Sequence, residues 1–168
     1  MRTVIPWFIV LFFAYVLQSA LFTAIACNGI TVDLIILIAA FLSVLEDRYA
    51  ILYGFGAGLF QDLASGTFLG MNAFILMCAS IIISLMSHRF YKENIFLPLA
   101  MAVFITVLDY LGTAIMVFLL GYDMNIWLVI NNMLTALIYN VVFAYPVYFI
   151  IVKINDKMQY LIKRYKQI

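Results

Sequence analysis

Few side chains in this sequence are equipped for chemistry, and most are spaced so that they cannot cooperate. The single histidine, His88, stands beside Arg89 with no second ligand at metal-binding spacing. It reads as part of a basic boundary. The two cysteines, Cys27 and Cys78, are expected to be small apolar packing residues rather than a bridge. HExxH, GxSxG, CxxC and phosphate-loop patterns are absent, so the sequence implies no enzyme, no metal and no cofactor. What remains is a set of isolated carboxylates. Asp109 sits inside a long apolar segment, where an unpaired charge costs at least about 2.5–3.5 kcal/mol. Thr106 and Thr113 share its helical face at offsets of three and four, and Thr135, Tyr139 and Asn140 lie at similar depth in the next segment. That constellation suits either a polar clasp between two helices or a site for a ligand or proton.

The elements that must hold these residues are apolar helices. Of the 168 residues, 68% are hydrophobic and 10% are charged, against about 25% charged in an ordinary soluble domain. A soluble monomer is excluded, and no nucleic-acid partner is expected. Charge-free stretches of 30, 25 and 29 residues at 3–32, 63–87 and 124–152 each exceed the roughly 20 residues needed to cross a hydrocarbon core. The pattern predicts an all-α integral membrane protein forming a single transmembrane domain with short loops. Its six transmembrane helices are expected at about 4–26, 32–45, 49–64, 67–87, 95–121 and 125–152. The second and third are short, and must either thin the bilayer or sit among longer neighbours. A re-entrant hairpin is the alternative, with Glu46, Asp47 and Arg48 deep in the membrane.

Six spans put all nine basic residues on one side, which places the N- and C-termini in the cytoplasm. The opposite turns border or include Asp33, Asp62 and Asp123 and hold no lysine or arginine. Residues 153–168 form a basic amphipathic cytoplasmic tail, with Ile154, Met158, Leu161, Ile162, Tyr165 and Ile168 at near-helical spacing. The tail either simply ends the sixth helix or docks on a cytoplasmic partner or anionic lipid. A cleaved signal ending near Cys27 is disfavoured, because the apolar run is longer than the roughly 7–15 residues of a signal core.

Glycines supply the strongest spacing. Gly54 and Gly58, then Gly66 and Gly70, form two small-xxx-small pairs flanking Asp62, a pattern that lets helix backbones approach closely in lipid. It predicts tight packing of the third and fourth spans, with a sharp turn at 64–66. Asp33 and Asp62 would stand at adjacent span ends as an acidic rim, a candidate contact for basic residues flanking a partner's transmembrane helix. The competing reading has Asp62 capping the turn or the fourth helix.

The run from Gly54 through Gly58, Asp62 and Gly66 to Gly70 resembles the GFxxGLxxDxxxGxxxG signature of the rod shape-determining protein MreD family. Asp33 and Leu34 ahead of an apolar run are similar to the Pro-Asp-Leu that opens that family's second helix, with Val32 in place of the proline. The resemblance implies a non-enzymatic scaffold of the bacterial cell-elongation machinery in the cytoplasmic (inner) membrane. Its implied partners are MreC, MreB, the SEDS-type glycosyltransferase RodA with a class B penicillin-binding protein, and membrane lipid. The rival reading is a small-molecule-binding membrane component of an energy-coupling-factor type transporter, which is similarly small, six-spanning and nearly loopless.

Overall fold

The structure, a computed structural model, describes residues 4–21, 29–66, 68–87 and 96–165. Arg2, Cys27, Thr67, His88, Arg89, Lys92 and the last three residues lie outside the described residues, as do the side chains of Leu161, Ile162 and Tyr165. Among the described residues six helices carry the fold: α1 (Val4–Leu21), α2 (Leu34–Leu45), α3 (Ala50–Ser65), α4 (Met71–Ser87), α5 (Phe96–Leu119) and α6 (Ile126–Tyr165), with a 3-10 turn at Asp47–Tyr49.

A helix that is apolar on every side has to be enclosed, and α2 is such a helix. Every residue from 34 to 44 is buried, and α1, α3, α4, α5 and α6 all pack on it. Its one hydroxyl, Ser43, donates to the Ala39 carbonyl at 2.7 Å, so α2 itself brings no unsatisfied side-chain donor into the core. At 12 residues α2 is only about 18 Å long. It sits among longer neighbours, one of the two arrangements open to so short a helix. Phe41 of α2 meets Tyr148 of α6 edge to face at 5.2 Å between ring centres, and Tyr15 of α1 meets Phe60 of α3 in the same way at 5.4 Å.

The helices at the periphery have the opposite pattern. α5 and α6 are long and apolar enough to cross a membrane, and they expose large side chains such as Phe118, Leu119, Ile126, Trp127 and Ile138. α6 has 40 residues, about 60 Å, which is twice the roughly 30 Å thickness of a hydrocarbon core.

The sixth helix does not stop near 152. It continues unbroken to Tyr165, so residues 153–165 are the far end of α6, as in the first of the two readings of the tail. Ile154 and Met158 pack against the hydrophobic core, and the Gln159 side-chain amide donates to Glu46 Oε1 at 3.1 Å. Glu46 is buried beneath it and also accepts a hydrogen bond from the Tyr53 hydroxyl. Lys153, Lys157 and Arg164 remain exposed. Among the described residues, the apolar side of this segment is therefore covered by the chain's own bundle, leaving a basic face outside.

Candidate functional site

On α3, Gly54, Gly58 and Asp62 are one helical turn apart and share a face, and that face is turned to α4. A Cβ built on Gly54 would lie 2.4 Å from the Leu76 carbonyl oxygen and 2.5 Å from Ser80 Oγ. One built on Gly58 would lie 2.3 Å from the Asn72 carbonyl oxygen and 2.5 Å from Ala73 Cα. At Gly58 all the nearest atoms are main chain, and at Gly54 the Leu76 carbonyl is main chain beside the Ser80 side chain.

Asp62 closes the seam. It is only 1% exposed, and both of its carboxylate oxygens are occupied: Oδ2 accepts from the Gly70 and Ala73 backbone N–H groups at 2.8 and 3.2 Å, and Oδ1 from that of Asn72 at 3.0 Å. These donors belong to the start of α4, where a helix leaves its N–H groups without partners and its dipole favours a negative charge. Asp62 thus caps α4 from the neighbouring helix. It is turned inward and adds nothing to an outward acidic rim, because its oxygens complete the turn between the two helices.

Gly66 and Gly70 differ from the expected packing pair. α3 ends at Ser65, so the two glycines straddle a turn rather than share a helix face. Both have positive φ, +64° and +96°, and a Cβ on either would meet nothing within 4 Å. Gly66 is the left-handed cap of α3, its N–H donating to the Asp62 carbonyl at 3.1 Å. Gly70 brings its N–H to the Asp62 side chain. Their contribution is backbone conformation, not close approach.

Asp33 is likewise engaged by its own chain. Oδ1 accepts from the Ile35 and Ile36 N–H groups at 3.1 and 3.2 Å and so caps α2, while Oδ2 accepts from Gln61 Nε2 at 2.8 Å. The Asp33 N–H donates to Asn140 Oδ1 at 2.9 Å, Asn140 Nδ2 donates to Thr106 Oγ1 at 2.8 Å, and the Thr106 hydroxyl donates to the Ala102 carbonyl at 2.7 Å. One continuous network therefore joins α3, α2, α6 and α5. Among the expected polar residues, Thr106 and Asn140 make the clasp between α5 and α6, and Asp109 stands beside it. Asp109 Oδ1 is buried without a hydrogen-bond partner among the described residues.

Asp109 and Thr113 share with Asp33, Gln61, Thr106 and Asn140 the wall of a polar pocket of about 360 Å³. Thr135 and Tyr139 do not line it: the Thr135 hydroxyl bonds the Asn131 carbonyl of its own helix at 2.9 Å, and Tyr139 packs against the core. Two residues of this region escape a reading for carboxylates and glycines. Gln61 has just been placed, and Gln18 of α1 accepts from the Leu34 N–H at 2.9 Å. The signal for both was a lone amide in an apolar helix, where a polar side chain needs a protein partner.

A family model described as rod shape-determining protein MreD matches residues 1–158 of the chain. The chain belongs to the MreD family. No curated protein and no solved structure matches it. The matched residues take in the α3–α4 seam, the polar pocket and all but the last turns of α6. Membership of the MreD family places this all-helical chain in rod-shape determination, and its two long apolar helices are consistent with a membrane protein.

Proposed function

We propose that this MreD-family chain is a non-enzymatic, multi-pass scaffold of the bacterial cytoplasmic membrane. It links MreC, MreB and the peptidoglycan-synthesising pair of RodA and a class B penicillin-binding protein during cell elongation. The observation that carries this reading is the family match across residues 1–158. The outward-facing apolar side chains of α1, α5 and α6 support a lipid environment, and partners in this reading meet helix faces and short turns. Affinity purification of the full chain from a rod-shaped host, followed by mass spectrometry, is expected to enrich MreC together with the synthase pair. Recovery of none of these would end the reading. The polar pocket favours a second reading, the ligand-binding component of an energy-coupling-factor type transporter, and copurification of a coupling subunit would select it.

The scaffold reading includes six spans with both termini cytoplasmic, supported by the placement of the basic residues. With the native cysteines removed, a cysteine introduced at Asn125, in the turn between α5 and α6, is expected to react with an impermeant external reagent. One at Gln167 is expected to stay protected. The reverse pattern would overturn the orientation.

A further inference from the structure

The polar pocket combines donors already engaged within the protein with acceptors that are not. Four of its donor groups bond within the protein: the Gln61 amide N–H₂ to Asp33, the Asn140 amide N–H₂ to Thr106, the Thr106 hydroxyl to Ala102, and the Thr31 hydroxyl to the Val32 carbonyl, and Gln18, Tyr110 and Thr113 also line the wall. Acceptors are left over. Asp109 Oδ1 and Gln61 Oε1 are both buried, and among the described residues neither has a partner. The Gln61 amide cannot relieve this by turning over, because its oxygen would then face the Asp33 carboxylate. Around these oxygens the wall, among the described residues, holds two carboxyl groups and no lysine, arginine or histidine. Such a site is complemented by a group that brings N–H donors and positive charge.

We propose that this pocket binds a primary ammonium group, carried by an aminophospholipid headgroup or by a small soluble amine. An ammonium offers three N–H donors on one charged centre, which suits orphaned oxygens contributed by two different helices. A divalent metal is a poorer match, because among the described residues no group of three His, Cys, Asp or Glu side chains comes together. The cavity of about 360 Å³ lies at the low end of the roughly 300–1,000 Å³ typical of small organic ligands. The lipid source rests on the membrane reading above, whereas the soluble source does not.

The test uses the full chain, purified in detergent, stripped of lipid and followed by native mass spectrometry. Phosphatidylethanolamine and phosphatidylcholine with identical short acyl chains differ at the headgroup nitrogen, N–H against N-methyl. Phosphatidylethanolamine is expected to bind roughly tenfold or more tightly than phosphatidylcholine. Asp109→Asn is expected to abolish that preference, and Thr135→Ala, outside the pocket wall, to leave it intact. Displacement of phosphatidylethanolamine by equimolar free ethanolamine identifies a soluble amine as the ligand, and displacement only at large excess identifies the lipid. Equal binding of the two lipids with no displacement by ethanolamine overturns the proposal, as does a preference that survives Asp109→Asn. The central comparison is made on the unaltered protein, so it stands even if a variant fails to fold. No partner protein is present, so failure here is distinguishable from failure of the scaffold reading.

Discussion

Gly58→Leu is expected to abolish accumulation of the folded protein, and Gly58→Ala to reduce it severalfold. The added Cβ would arrive 2.3 Å from the Asn72 carbonyl oxygen and 2.5 Å from Ala73 Cα, so the whole of α4 has to move. Overpacking in a well-filled interior costs about 1–3 kcal/mol even where side chains can adjust, and here the obstacle is main chain. Changes of about 1–2 kcal/mol already alter cellular abundance severalfold. Gly54→Leu acts through the same seam. Gly66→Ala and Gly70→Ala are the informative contrast: they have room for a methyl group but the wrong φ, and each is expected to cost about 1–3 kcal/mol of backbone strain. Quantitative membrane immunoblotting with a thermal-shift assay checks the ranking. If Gly58→Ala is no worse than Gly66→Ala, close helix approach does not hold this seam together.

Substitution of Asp62 is expected to produce the second large loss. Asp62→Ala leaves the Gly70, Asn72 and Ala73 N–H groups without their acceptor, and an unsatisfied buried donor costs about 1–3 kcal/mol. Asparagine is not a neutral replacement. It keeps one oxygen, and its N–H₂ must face a backbone donor, so Asp62→Asn is expected to lose about 1–3 kcal/mol for the donor left unsatisfied and to fall between wild type and Asp62→Ala, which orphans three, in thermal stability. A contact that attracts a partner by charge alone predicts the opposite division: weaker copurification at unchanged stability. An unchanged melting temperature for Asp62→Asn would refute the capping role.

How far these features could be read from the sequence depended on whether a spacing rule met the geometry it assumes. Gly54, Gly58 and Asp62 are legible because α3 is one uninterrupted helix and offsets of four stay on one face. The same offset misleads at Gly66 and Gly70, since the helix ends between Asp62 and Gly66 and the face ceases to exist. The enclosed α2 is legible from its lack of any polar side. Asp109 is less so: its spacing to Thr106 and Asn140 identified the right helices, but Asn140 already donates to Thr106 and accepts from the Asp33 N–H. That second bond joins residues 107 positions apart, a pairing no local period can show. The far end of α6 was legible as amphipathic, yet periodicity cannot say what covers an apolar face, and Ile154 and Met158 cover theirs with the core of their own chain.

The enclosure of α2 also constrains the order in which the molecule can be completed. Its neighbours come from both earlier and later in the chain, and α5 and α6, which cover part of it, are synthesised well after it. Until they arrive, a helix only 12 residues long, with the network acceptor Asn140 still missing from its N-terminal end, is held by α1, α3 and α4 alone. The tight α3–α4 hairpin can form early, because its contacts are local in sequence. Final closure waits for α5 and α6, so a chain interrupted before α6 is left with its core helix incompletely covered.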